Sequence, residues 1–130
     1  MRFMLMMHAP RGTGDWNIEG WTEDDVKAHM AFMHALNREL KANGELVGAE
    51  GLSPPGLARV VRATSNGKPS VTDGPFAETK EFLAGYWIVR VDRAERAYEI
   101  AGRASAAPGP GGTPLNMPIE VREVYDGPPM

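Results

Sequence analysis

The chain has 130 residues, a formal net charge of -3 and no cysteine, and these features bound what it can be. Its length suits one domain spanning residues 1–130, and 42% hydrophobic with 24% charged residues is typical of a folded globular protein. Disulfides, thiolate metal sites and cysteine nucleophiles are excluded because there is no cysteine. The acidic balance argues against direct binding of nucleic acid. The apolar start, residues 1–7, is too short to span a membrane, so we expect a cytoplasmic protein without a membrane segment.

The first part of the chain predicts a strand followed by a helix. Residues 2–8 form an apolar run, typical of a strand that is buried on both faces. Thr22 opens the clearest helix with a capping box that Asp25 completes, and Asn43-Gly44 is a typical helix end. The apolar spacing predicts one buried stripe, made of Val26, Met30, Met33, Leu36 and Leu40.

The remainder predicts a hairpin, a second helix and further strands. Residues 45–49 and 57–64 have strand character, and Ser65-Asn66-Gly67-Lys68 is a strong signal for a hairpin turn because Asn-Gly tolerates the positive φ angles that such turns require. The other predicted elements are a strand at 86–91, a helix from an Asp92 cap to about residue 106 with Ala94, Ala97, Ile100 and Ala101 towards the core, a strand at 119–124 and a frayed tail at 126–130.

This order of elements predicts an α+β fold, the ferredoxin-like split βαβ arrangement with an added β-hairpin. Two helices cover one face of such a sheet. The segments 1–7 and 86–91 are nevertheless apolar on both sides, so the second face also needs a cover. Another copy of the chain is the economical cover, and we therefore expect a homodimer.

Residues 73–81, with the sequence Asp-Gly-Pro-Phe-Ala-Glu-Thr-Lys-Glu, are the most distinctive segment. One interpretation is a rigid turn, in which Asp73 caps backbone amides, Gly74 adopts positive φ and Phe76 anchors the turn on the core. The other interpretation is functional: Asp73, Lys80 and Glu81 converge on a cleft at a strand end. The sequence leaves both open.

This nonapeptide, followed by Gly-Tyr-Trp-Ile-Val-Arg-Val at 85–91, resembles the signature of the DGPF-domain proteins, part of the wider YCII-related family. Similar stretches lie at 37–40, 48–52 and 120–124. The resemblance implies a dimeric α+β barrel, in which two ferredoxin-like sheets pack face to face, and it implies no settled reaction. Family members are often encoded beside extracytoplasmic-function sigma factors, which implies a regulatory alternative.

The wider family also implies a His–Asp pair, for which Asp73 is the acid and His29 or His34 the candidate histidine. A second interpretation makes His29 a core-facing histidine bonded to a backbone carbonyl, and His34 a solvated flank of the stripe. The candidate binding residues are Lys80, Glu81, Tyr86 and Trp87.

We expect no metal and no cofactor. His29 and His34 are five residues apart, which misses the i, i+4 spacing of paired helical ligands, and no phosphate or dinucleotide fingerprint is present.

Three hypotheses remain for the function. They are an enzyme acting on a small apolar or aromatic molecule inside the barrel, a regulatory partner of a sigma factor, and a plain binder of a small ligand. Whether the chain is an enzyme stays open at this point.

Overall fold

The structure, a computed structural model, describes residues 1–10, 20–76 and 80–127. Within these ranges the chain forms two α-helices and two antiparallel sheets. In chain order the elements are β1 (Arg2–Pro10), α1 (Glu23–Ala42), β2 (Leu46–Gly51), β3 (Arg59–Arg62), β4 (Ser70–Asp73), β5 (Glu81–Arg90), α2 (Ala94–Ser105) and β6 (Ile119–Val124). Neither of these helices combines the length and the apolar character needed to cross a bilayer.

The main sheet has four strands in the order β2-β5-β1-β6, and every neighbouring pair is antiparallel. Because β5 lies between β1 and β2 and runs opposite to both, the first half of the sheet is a split βαβ unit. β3 and β4 form a separate two-stranded hairpin. The predicted α+β class is confirmed, and the topology is compatible with a ferredoxin-like fold carrying an added hairpin. The dimeric barrel stays a prediction.

The core lies between the two helices and one face of the main sheet. Alternate residues of β1 point into it, since side chains alternate along a strand, and Leu5 is fully buried there. The predicted core face of α2 is confirmed, because Ala97, Ile100 and Ala101 are buried and Ala94 packs against the same cluster.

α1 begins and ends where its local signals predict. The Thr22 hydroxyl accepts a hydrogen bond from the Asp25 amide, and the Asp25 carboxylate accepts one from the Thr22 amide, both at 3.1 Å. At the other end Asn43 is the C-cap residue, and Gly44 follows it with a φ of 74°. Both ends therefore use the caps that the sequence predicted.

The predicted buried stripe of α1 is wrong at one position. Leu36 and Leu40 are buried as expected, and Val26 and Met33 are partly buried, but Met30 is 44% exposed. Met30 precedes Leu36 by six residues, which places it about 120° away around the helix axis. It therefore lies beside the core stripe rather than on it.

Several predicted boundaries also move. β5 begins at Glu81 instead of residue 86, because its first residues pair with the far end of β1, where Pro10 lies opposite Glu81. β3 begins at Arg59 instead of residue 57, because a 3-10 turn occupies Pro55–Leu57, and it ends at Arg62 instead of residue 64. The Asp92 cap is wrong: Arg93 is the N-cap residue of α2, and its side chain makes no capping hydrogen bond.

The predicted hairpin turn and final strand are confirmed. Gly67 has a φ of 82°, and the Asn66 side chain accepts a hydrogen bond from the Lys68 amide at 3.0 Å. In the predicted tail, a carboxylate oxygen of Asp126 lies 3.1 Å from the Arg2 guanidinium. The last residues, 128–130, lie outside the described ranges, as do residues 11–19 and residues 77–79 of the nonapeptide.

Candidate functional site

A cleft of about 240 Å³ lies between α1 and the part of the main sheet where β2 pairs with β5. Its sheet side includes Met7, Ala49 and Trp87, and its helix side is made by five residues, namely His29, Met30, Met33, His34 and Asn37. The volume is just below the usual range of ligand pockets, and the mixture of many apolar groups with a few polar ones is typical of them.

Helix periodicity explains why these five residues share one wall. His29, Met33 and Asn37 recur every four residues, and Met30 and His34 form a second such pair. Side chains four positions apart are neighbours on the helix surface, about 5–6 Å between Cβ atoms. The wall therefore lies next to the core stripe, and Met33 belongs to both surfaces.

The sheet side of the cleft contains a position that only glycine fits. Gly85 is buried opposite Gly51, and a Cβ atom at Gly85 would lie 2.9 Å from the carbonyl oxygen of Glu50. These are backbone atoms of the adjacent strand, which cannot rotate away as a side chain would. The two strands approach closely here because Gly85 has no side chain.

His29 is fixed by a hydrogen bond to a residue distant in sequence. Its Nδ1 lies 3.0 Å from the carbonyl oxygen of Pro108, and its ring meets that of Trp21 edge to face, with 5.4 Å between centroids. A carbonyl only accepts, so Nδ1 carries the proton, and in the neutral ring Nε2 is the acceptor. The predicted bond of His29 to a backbone carbonyl is confirmed, but His29 is only partly buried and lines the cleft. His34, exposed as predicted, lines the same cleft.

Asn37 is a cleft residue that the sequence analysis missed. Its Oδ1 accepts a hydrogen bond from the indole nitrogen of Trp87 at 2.9 Å. The bond orients the side-chain amide, so its Nδ2 group is left as the donor end. A signal was present in the sequence, because a polar residue between Leu36 and Leu40 interrupts the apolar stripe one helical turn after Met33.

Asp73, the main candidate acid, lies elsewhere. It ends β4, its side chain is 95% exposed, and its carboxylate lies 3.6 Å from Arg59 Nε across the hairpin. Asp73 does not line the cleft that contains His29 and His34. The structure therefore does not bring the predicted His–Asp pair together within this chain, and a catalytic role for Asp73 stays a prediction.

Two expectations about the turn after Asp73 are wrong. Gly74 does not adopt positive φ; its amide instead donates to the Ala58 carbonyl at 2.9 Å, and a Cβ atom there would lie 3.2 Å from the Ala58 carbonyl carbon. Close approach of two chain segments explains this glycine. Phe76 is 64% exposed and does not anchor the turn on the core.

The four candidate binding residues divide into two pairs. Lys80 and Glu81 are exposed and lie outside the cleft, whereas Tyr86 and Trp87 line it. Trp87 is 6% exposed on the core side of β5, and Tyr86, its neighbour, is only partly buried. Burial thus alternates between these two neighbouring residues of β5.

The glycine- and proline-rich segment before β6 contacts the start of α1 near the cleft. Pro108 accepts the bond from His29, and the Gly111 amide donates to the Asp25 carboxylate at 3.0 Å. The Gly111 bond, followed by that from the Thr22 amide, holds the pKa of Asp25 below its usual range. Among the described residues, no three His, Asp or Glu side chains are grouped as a metal site.

Comparison with known proteins places the chain in a family. The YCII-related domain matches residues 1–111, so the chain belongs to the YCII-related family. The chain is also similar to an uncharacterized protein of Rhizobium meliloti (strain 1021), with 31% identity over 87 residues. That alignment covers 67% of this chain and 69% of the relative. The family predicted from the nonapeptide is therefore confirmed.

Proposed function

We propose that this chain is a binding protein for a small, mostly apolar or aromatic molecule, which occupies the cleft between α1 and the β2–β5 pair. The observation that carries the proposal is the pair of oriented polar groups in a mostly apolar cleft. Pro108 fixes the tautomer of His29, and Trp87 fixes the amide of Asn37. Polar groups that are oriented before binding reduce the entropy lost when a ligand is held.

The chemistry of the ligand follows from these groups. The Nε2 atom of neutral His29 accepts a hydrogen bond, and the Nδ2 group of Asn37 donates one. A matching ligand is a single ring or short apolar chain that carries a donor such as a hydroxyl and an acceptor such as a carbonyl. The Trp87 ring and the methionine side chains of the cleft would contact its apolar part.

The test compares two tryptophan substitutions on α1. Met30→Trp fills the cleft, and Ala35→Trp adds the same side chain at an exposed helical position that does not line it. The probes are 4-hydroxybenzaldehyde, which has both polar groups, and toluene, which has neither. We expect a shift of the Trp87 indole N–H resonance with the first probe in wild type and in Ala35→Trp, and a weaker response in Met30→Trp. Toluene binding as tightly as 4-hydroxybenzaldehyde, or unchanged binding by Met30→Trp, would refute the proposal.

General-base catalysis is the second candidate, because the Pro108 bond leaves the Nε2 of His29 as the basic nitrogen. In this proposal His29 replaces Asp73 as the acid–base residue. Exchange of the α-protons of acetophenone in D2O is a direct assay. Catalysis by His29 requires exchange to be faster with wild type than with His29→Gln at equal probe occupancy; equal rates would leave binding as the function.

We also propose a homodimer that covers the second face of the main sheet. On that face Met4 lies opposite Ile88, and Met6 lies opposite Tyr86, and all four side chains are partly buried in the single chain. A connected apolar surface of this kind is typical of an interface. Analytical ultracentrifugation should give a dimer for wild type and a folded monomer for the double variant Met4→Lys/Ile88→Lys; a wild-type monomer at micromolar concentration would refute the dimer.

The sigma-factor alternative rests on the family resemblance. Nothing in the part of the chain that the structure describes favours a sigma factor over another protein. It therefore stays a prediction, which co-purification with the sigma factor encoded nearest to this protein would test.

A further inference from the structure

The helix side of the cleft has an unusual order of side chains. Residues 29–34 read His-Met-Ala-Phe-Met-His, and all four of the histidines and methionines in this segment line the cleft. His29 and Met33 are four residues apart, Met30 and Met33 three, and Met30 and His34 four. Each of these separations places two side chains next to each other on a helix. Met33 is therefore a neighbour of both His29 and Met30.

The hydrogen bond of His29 is the one that a metal-binding histidine usually makes. Such a histidine donates its second ring N–H to a carboxylate or a backbone carbonyl, which fixes the ring and leaves the other nitrogen for the metal. In His29 the Nδ1 donates to the carbonyl of Pro108 at 3.0 Å, so Nε2 is the nitrogen available for coordination.

The donor atoms determine which metal fits. Thioether sulphur is a soft ligand that selects Cu(I), whereas hard cations prefer oxygen and structural zinc prefers thiolate or several imidazoles. The chain has no cysteine, and His29 and His34 lie five residues apart. The nitrogen and oxygen ligands alone therefore do not make up a metal site here. The thioether sulphur atoms of Met30 and Met33 supply the additional donor atoms.

We propose that this chain binds one soft monovalent cation, Cu(I) in the cell, through His29 Nε2 and the sulphur atoms of Met30 and Met33. Met30 is 44% exposed and provides a path of entry from solvent. The inference goes beyond the binding of an organic ligand and does not depend on it.

The test uses the intact protein and the metal alone. Cu(I) is titrated anaerobically against the chromogenic chelator bathocuproine disulfonate. We expect one Cu(I) per chain and a loss of affinity of at least about tenfold in Met30→Leu/Met33→Leu, in line with the cost of disturbing a metal site. The matched control is Met4→Leu/Met6→Leu. It makes the same change on the face of β1 that lies away from α1 and the cleft, and it should leave the affinity for Cu(I) unchanged.

A second measurement locates the ion and detects non-specific binding. Ag(I) is added to protein whose methionine methyl groups carry ¹³C, and we expect the Met30 and Met33 signals to move while those of Met4 and Met6 do not. His29→Gln should weaken binding without unfolding the chain. The proposal is overturned if no Cu(I) is retained against the chelator, if both double variants bind equally, or if Zn(II) binds as tightly as Cu(I).

Discussion

Replacement of Gly85 by alanine tests the geometry on which the cleft depends. The new Cβ atom would lie 2.9 Å from the Glu50 carbonyl oxygen and 3.4 Å from the Gly51 Cα. Ordinary van der Waals contact begins at 3.4 Å, so β2 and β5 must separate by about half an ångström at this point. Because the atoms in contact belong to the backbone, no change of rotamer relieves the clash.

The expected cost is that of overpacking a well-packed site, about 1–3 kcal/mol. Gly48→Ala is the matched control, since Gly48 lies on β2 in the same pair of strands and a Cβ atom there would meet nothing within 4 Å. Both substitutions reduce the freedom of the unfolded chain equally, so the difference between them isolates the contact. We expect Gly48→Ala to change the free energy of unfolding by no more than about 0.5 kcal/mol.

Urea unfolding, followed by tryptophan fluorescence, measures the free energy of unfolding of both variants. In thermal unfolding, the expected difference corresponds to about 4–12 °C in Tm for a domain of this size. Equal unfolding midpoints for Gly85→Ala and Gly48→Ala would show that the strands do not approach closely at Gly85. The shape assigned to the sheet side of the cleft would then be wrong as well.

Three further predictions concern the elements that hold the cleft in place. Leu40→Ala removes a side chain with no exposed surface and should cost about 2–5 kcal/mol in urea unfolding, whereas Met30→Ala, at an exposed position, should cost less than about 1 kcal/mol. Thr22→Ala removes the N-cap of α1 and should cost about 0.5–2 kcal/mol, while a loss below this range would show that the capping box adds little. Glu45→Gln weakens the pair with Arg96, whose bond of 2.7 Å lowers the pKa of Glu45, and should cost about 1–2 kcal/mol at pH 7. That contribution is present above the unfolded pKa of about 4.5 and is lost as the pH falls through the lower folded pKa, so wild type should lose more stability than the variant below pH 4.5.

Features that depend on neighbouring residues could be predicted from the sequence. The capping box of Thr22 and Asp25, the Asn66-Gly67 turn and the apolar face of α2 each involve residues within one or two turns of the chain. Their energies are set locally, so the sequence specifies them before any tertiary contact forms. The nonapeptide at 73–81 likewise identified the family without any knowledge of the fold.

The composition of the cleft depended on tertiary contacts. The carbonyl that bonds His29 lies 79 residues away in the chain, and the indole that orients Asn37 lies 50 residues away. Sequence patterns do not encode such distances, because packing of the helices and strands decides which residues meet. Without these contacts, the family resemblance pointed to Asp73 as the principal acid. The fold placed Asp73 on the exposed hairpin and put His29, Met33 and Asn37 beside Trp87, because these helix residues lie next to the stripe that packs on the sheet.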